Sequence, residues 1–213
     1  MAVPAHLELR HLICRYGSTV AVDDVSLAVE CGEHVAMIGA NGSGKSTILR
    51  AILGLHDDVG GEIALDGTIA ATFGAWAERR RRVAWMPQRQ ATGRFPLLVR
   101  ELLASSGRLD AAMDAAERLG VGALQDRPLT TLSGGQLQRV FLSRALGCLA
   151  NGAGLLLADE PTAALDFDTQ AAVADLLGGL DTTVLVVTHD RAVAARCDRV
   201  VEMAGGRLRA VDA

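Results

Sequence analysis

No apolar stretch in this 213-residue chain reaches the length of a membrane span, and its four cysteines contain no C-x-x-C pair. The first absence excludes a polytopic membrane protein. Residues 155–158 and 184–187 are apolar but only strand-sized. The second excludes a disulfide framework or a cysteine-based metal knuckle. Cys14, Cys148 and Cys197 stand among apolar neighbours and read as buried free thiols, with Cys31 apart from them, which fits a reducing compartment. The first six residues have neither the basic start nor the apolar run of a secretory signal, so a soluble, cytoplasmic chain is expected. There is no excess of positive charge: the formal net charge is −4, with both signs mixed along the sequence, and no nucleic-acid partner is expected. The one dense basic run, Arg79 to Arg82, reads as a solvated turn ahead of a strand, or else as a small basic patch.

Against these absences, half of the residues are hydrophobic, enough for one sizeable core with room for a smaller lobe. The most informative segment is Gly39-Ala40-Asn41-Gly42-Ser43-Gly44-Lys45-Ser46, placed directly after the apolar residues 34–38. This G-x-x-x-x-G-K-S pattern is a phosphate loop. Its glycines let backbone N–H groups curl around phosphate oxygens, Lys45 reaches the β- and γ-phosphates, and the Ser46 hydroxyl ligates Mg²⁺. The helix predicted to begin there, with Thr47 in its first turn, adds its positive end. The loop establishes nucleotide binding and says nothing of what the nucleotide is used for.

The rest of the chain alternates strands with helices, which predicts an α/β class. Leu7 and Leu9, then Val25, Leu27 and Val29, alternate with polar or small residues and predict an early antiparallel sheet. Residues 34–38, 155–158 and 183–187 are continuously apolar, as central strands buried on both faces require. Short strands are expected over 62–65 and 83–86, and a closing hairpin over 200–208. From about 97 to 119 the pattern is helical, and another helix is expected over about 169–177. A long amphipathic helix is predicted after Leu132-Ser133-Gly134-Gly135-Gln136, with Ser133 as its N-cap and two glycines that permit close backbone approach. It is a second anion-binding helix start, unless it is simply a capped turn. The helical middle, residues 89–145, predicts a lobe inserted into a core formed by 1–88 and 146–213.

Strand 155–158 ends in Asp159 and Glu160. At a strand end beside a phosphate loop, Asp159 would hold Mg²⁺ and Glu160 would orient or deprotonate the attacking water. Both could otherwise be ordinary residues of a β–α turn.

Taken in order, the phosphate loop, Leu132 to Gln136 and Asp159-Glu160 resemble the ATP-binding subunits of ABC transporters, and the resemblance covers nearly the whole chain. Its remaining short motifs are present. Tyr16 is similar to the aromatic that stacks on adenine, or packs on the first sheet. Gln88, after Val83-Ala84-Trp85-Met86-Pro87, resembles the glutamine that reports nucleotide state and touches Mg²⁺, or is a polar turn residue. Asp166, in Ala164-Leu165-Asp166, matches the loop after the carboxylates, or caps the next helix, or does both. His189 resembles the switch histidine that contacts the γ-phosphate, or caps the helix after it.

The resemblance implies a phosphate-loop NTPase core of mixed sheet with helices on both faces, an N-terminal antiparallel β subdomain and an inserted α-helical subdomain. It implies a head-to-tail homodimer around two ATP and Mg²⁺, in which Ser133, Gly134, Gly135 and Gln136 of one copy cover the ATP held by Gly39, Asn41, Gly42, Ser43, Gly44, Lys45, Ser46 and Thr47 of the other. Glu160, His189, Lys45 and Gln88 are then the catalytic set, with Ser46, Gln88 and Asp159 around the metal. Integral membrane permease subunits, docked in a groove near Gln88 lined by residues 89–98, and an extracytoplasmic solute-binding protein are the implied partners, on the inner face of the cell membrane. The stretches Met86 to Arg89 and Phe95 to Leu102 resemble importers of zinc or manganese, then of haem, iron chelates or cobalamin. The compact length, without a regulatory C-terminal domain, agrees. A soluble ABC ATPase of the iron–sulfur-assembly type is the alternative.

Overall fold

The computed structural model describes residues 3–88 and 97–210. Two sheets meet across one layer of side chains. The larger has six strands in the order β10-β9-β3-β8-β7-β6: β3 (His34–Ile38), β6 (Val83–Met86), β7 (Leu155–Asp159) and β8 (Thr183–Val187) run parallel with β9 (Arg199–Ala204), and β10 (Arg207–Ala210) closes the edge antiparallel. The smaller sheet is antiparallel, β2-β1-β4-β5, built from β1 (Leu7–Tyr16), β2 (Thr19–Val29), β4 (Val59–Leu65) and β5 (Thr68–Ile69).

The continuous apolar runs of the central strands are explained by two cores. Alternate side chains of each strand point to opposite faces. Val35, Met37, Leu155, Leu157 and Leu185 pack with α1 (Lys45–Ile52) and the antiparallel sheet. Ala36, Leu156, Ala158, Val184 and Val186 pack with the helices of the other face. Those helices are α3 (Val99–Ala104), α4 (Leu109–Arg118), α5 (Gly134–Ala150), α6 (Phe167–Gly178) and the short α7 (Arg191–Ala194). The fold is therefore α/β, a mixed sheet with helices on both faces, an antiparallel β part and an inserted helical part. The periodicity over 97–119 resolves into two helices, because the chain turns at Ser105 to Arg108 and presents Ala112, Ala115 and Ala116 on a new axis. Among the described residues no helix is long and apolar enough to cross a membrane. The four cysteines are free: Cys14 is buried, Cys148 and Cys197 are half-buried, and burial pushes Cys14 and Cys197 up to about 11.

The basic run is where the sequence reading needs correction. Arg79 to Arg82 is no solvated turn: Arg79 to Arg81 form the last turn of α2 (Phe73–Arg81), and Arg79 is only 5% exposed. One of its terminal nitrogens, Nη2, donates to the Ile63 carbonyl at 2.8 Å and the Thr68 carbonyl at 2.7 Å, and its guanidinium lies 4.9 Å from the Trp76 ring centroid. The charge thus faces two backbone carbonyls, one in β4 and one in β5, rather than water. Trp76 in turn rests on Gly54, where φ is +67° and a Cβ would come within 2.4 Å of the indole. Arg79→Ala strips both carbonyls of their donor and removes the cation–π contact. We expect a loss of about 3 kcal/mol and roughly 10 °C in Tm, read by thermal denaturation.

Candidate functional site

Gly39 leaves β3 with φ +139°, in a position where a Cβ would lie 2.1 Å from the Met203 carbonyl oxygen of β9. Gly44 turns the chain into α1 with φ +106°, where a Cβ would lie 2.4 Å from the Ala21 carbonyl oxygen of β2. These two close approaches leave room for no side chain and hold the loop between the two sheets. Inside it, Lys45 Nζ donates to the Gly39 carbonyl at 2.7 Å and the Ala40 carbonyl at 2.8 Å, with the Ser43 hydroxyl at 3.4 Å. Burial lowers the Lys45 pKa, opposed by the neighbouring Glu160 and Asp159 charges.

A cleft of about 500 Å³ opens in front of the loop. It is lined by Tyr16, Asn41, Gly42, Gly44, Lys45, Ser46, Thr47, Gln88, Asp159 and Glu160. Tyr16 is not packed under the first sheet. It is half-exposed at the end of β1, and its ring stacks on His56 with centroids 4.6 Å apart and planes 24° from parallel. His56 was not singled out in the sequence, since a lone histidine in the polar stretch after α1 carries no pattern.

At the cleft floor, Asp159 is 6% exposed. Burial raises its pKa, against a hydrogen bond from the Ser46 hydroxyl that lowers it, and its Oδ1 is buried without a partner. An orphaned, desolvated carboxylate oxygen beside a serine hydroxyl is the donor set that a hard divalent cation takes.

Glu160 follows in the left-handed conformation, φ +54°, where non-glycine residues are uncommon. The loop is nonetheless held at several points. The Glu160 N–H donates to the Val187 carbonyl at 2.8 Å, and the Glu160 carbonyl accepts from Gln138 Nε2 at 2.6 Å and from the Ala163 N–H at 3.3 Å. Its buried side chain reaches the mouth of the cleft, where Oε2 lies 2.7 Å from Nδ1 of the exposed His189 ring and 3.4 Å from the His189 N–H. Asp190, beside it, caps α7 by accepting from the Ala192 N–H at 2.8 Å and accepts from the Thr162 hydroxyl at 2.8 Å. The cap of that helix is therefore Asp190, and His189 is free to face Glu160. Gln138 is the other residue the sequence reading passed over. It lies two positions beyond Gln136 on a helix read only for its apolar face.

Ser133, Gly134, Gly135 and Gln136 do not line this cleft. They open α5 through a reciprocal cap, the Ser133 Oγ accepting from the Gln136 N–H at 3.3 Å and the Gln136 Oε1 from the Ser133 N–H at 3.0 Å. The first turn of α5 lies against Ala164, whose carbonyl oxygen would be 2.9 Å from a Cβ on Gly135. Asp166 caps α6 by accepting from the Thr169 N–H at 3.0 Å. Residues 89–96, which carry part of the importer-like stretch and most of the expected permease groove, lie outside the described residues. Beside Gln88 a mainly apolar cleft of about 350 Å³ is lined by Trp85, Pro87, Leu97, Leu102, Leu129 and Phe141, among others.

The sequence and the fold are both similar to those of known proteins. The ABC transporter family profile matches residues 22–163. The hemin import ATP-binding protein HmuV of Rhodopseudomonas palustris is 38% identical over 91% of this chain and 77% of its own length. The zinc transport system ATP-binding protein TroB of Treponema pallidum is 38% identical over 92% and 77%. The macrolide export ATP-binding/permease protein MacB of Nitrosomonas europaea is 36% identical, and the match spans only 34% of that protein. Among solved structures, a dimeric bacterial ABC transporter cassette superposes with a TM-score of 0.85 at 28% identity, covering 97% of this chain and 99% of that one. The same cassette in a post-hydrolysis state bound to ADP and Pi gives 0.81. A family profile over most of the sequence, joined to a phosphate-loop cleft with two buried carboxylates, places this chain in the ABC transporter family as an ATP-binding, ATP-hydrolysing cassette.

Proposed function

We propose that the chain is the ATPase subunit of an importer for a metal ion or metal chelate, acting as a head-to-tail homodimer with two ATP molecules at the interface. One observation carries the dimer. The cleft contains the phosphate loop and both carboxylates, with His189 against Glu160 at its mouth, while the second anion-binding helix start, Ser133 to Gln136, is capped and lies outside it. In a two-fold pair both belong to one self-complementary surface, and each Ser133–Gln136 turn meets the γ-phosphate held by the other copy.

Tyr16, backed by His56, takes the adenine. The loop N–H groups and Lys45 take the phosphates, Lys45 exchanging its carbonyl partners for β- and γ-oxygens. Asp159 and Ser46, with Gln88 from the cleft wall, would hold Mg²⁺, which when bound supplies positive charge against the phosphate oxygens. Glu160 is the general base. Its Oε2 is engaged by His189, so Oε1 is offered to the attacking water and accepts its proton as the water oxygen bonds to the γ-phosphorus and the bond to the ADP oxygen breaks. His189, at the mouth beside Glu160, contacts the γ-phosphate. Loss of that phosphate removes the charge joining the two copies.

For the partners, the apolar cleft beside Gln88 fits a short helix of an integral membrane permease, which would hold the dimer on the inner face of the cell membrane. An extracytoplasmic binding protein would deliver the solute. The substrate class rests on similarity to hemin, zinc and cobalamin import proteins. Affinity purification of the tagged chain is expected to recover integral membrane subunits, and deletion of its gene to lower uptake of zinc, manganese, haem or cobalamin. A purely soluble partner set would defeat the transport reading in favour of an assembly ATPase. Unchanged uptake of all four would defeat the substrate class alone.

A further inference from the structure

Gln138 lies on α5, two positions beyond Gln136, and is only 6% exposed. Its side-chain amide donates to the backbone carbonyl of Glu160 at 2.6 Å across 22 residues of sequence. A second contact joins the same two elements: Gly135 packs against the Ala164 backbone so closely that a Cβ would sit 2.9 Å from the carbonyl oxygen. The first turns of α5 and the loop from Glu160 to Ala164 are therefore fastened at two points. The opposite side of Glu160 is fixed to the rigid sheet by its N–H on the Val187 carbonyl.

We infer that Gln138 is a positioning residue for the reaction: it holds the Glu160 peptide in its left-handed conformation and transmits to Glu160 the state of the turn that covers the other copy's ATP. This rests on the homodimer reading above. A left-handed glutamate persists only where its surroundings over-determine it. Glu160 has an anchor on each side of its Cα, its N–H on Val187 of β8 and its carbonyl on Gln138 of α5, and the carboxylate direction follows from that backbone. The β8 anchor is common to every state of the sheet. The α5 anchor moves with the helix whose N-terminus meets ATP across the interface. When the partner's ATP seats on Ser133 to Gln136, α5 is fixed, and with it the carbonyl of Glu160. Each base is thus set by the occupancy of the other site, which couples the two hydrolyses without any direct contact between the two ATP molecules.

The test is Gln138→Glu, which keeps the shape of the side chain and replaces the donor NH₂ by an oxygen, with Gln138→Leu as the second variant. Both are compared with wild type in steady-state ATPase assays and in size exclusion with Mg-ATP, after thermal melts confirm folding. Misplacement of a reacting group by about 1 Å is worth roughly a hundredfold in rate. We expect kcat to fall by about that factor while KM for ATP changes less than about threefold, ATP-dependent dimerisation persists, and the Hill coefficient for ATP falls toward one. A merely structural role would lower the melting temperature and leave those ratios alone. Should either variant not fold, hydrogen exchange on the wild-type chain decides: amides 160–163 are expected to gain protection when a non-hydrolysable ATP analogue drives dimerisation, and unchanged exchange overturns the coupling. Wild-type turnover in a folded variant overturns the inference and leaves the dimer standing. A wild-type chain that stays monomeric with ATP overturns the dimer reading and the coupling together.

Discussion

Glu160→Gln is expected to bind ATP, accumulate as a stable dimer and hydrolyse about 10²–10⁴-fold more slowly than the wild type. The substitution keeps the side chain's size and its reach to His189 Nδ1, which stands 2.7 Å from Oε2. It removes the carboxylate at the cleft mouth placed to take a proton from water, whereas Asp159 lies buried at the cleft floor and His189 is engaged by Glu160 itself. It also removes a negative charge from beside the γ-phosphate, so ATP should join two copies more firmly than in the wild type. Size exclusion with and without Mg-ATP, together with phosphate release, measures both effects. Near-normal turnover would sink the assignment of Glu160 as base, and absence of a dimer would sink the sandwich.

Lys45→Ala should be the more severe change, since it acts on binding as well as on chemistry. Lys45 is 7% exposed and donates to two carbonyl oxygens of its own loop, so its ammonium is held at the centre of the phosphate cradle rather than swinging from outside. Hydrogen bonds from a charged donor are worth about 1.5–3 kcal/mol each, so losing those to two phosphate groups should weaken ATP binding about a hundredfold or more. Removing the positive charge that opposes charge build-up on the γ-phosphate should lower kcat by a further 10²-fold or so. Lys45→Arg should rescue little, because a planar fork of donors does not replace a compact ammonium point charge on a flexible stem. Equilibrium binding of a fluorescent ATP analogue reads the first effect and single-turnover hydrolysis the second. ATP affinity within about threefold of wild type in Lys45→Ala would overturn the role given to Lys45.

The parts of the site that the sequence displays are those whose chemistry is local. A phosphate loop needs its glycines because the backbone itself must turn, as Gly39 at φ +139° and Gly44 at φ +106° do. A capped helix start needs Ser133 and Gln136 three residues apart because the two side chains reach each other's backbone. Central strands buried on both sides need unbroken apolar runs, and all three expected ones are strands at those positions.

Where a residue's role depends on what another part of the chain offers, the pattern misleads or falls silent. Four consecutive arginines suggest solvent, yet Arg79 is buried, its guanidinium donating to backbone carbonyls of β4 and β5. The helix that carries it, α2, exposes Phe73 and buries Arg79, the reverse of an amphipathic signature. A histidine after α1 gains meaning only because β1 ends with Tyr16 against its face.

By itself, then, the sequence displayed the phosphate loop, the α/β alternation and the capped start of α5, since each is written in spacing within a single turn or strand. The tertiary structure alone decided how Glu160 stands: a left-handed peptide, pinned by Gln138 from one helix and Val187 from one strand and aimed at His189, 29 positions away. Short-range spacing fixes where the backbone turns. Only the packing of distant elements fixes which way a catalytic side chain faces, because the hydrogen bonds that hold it come from segments the sequence keeps apart.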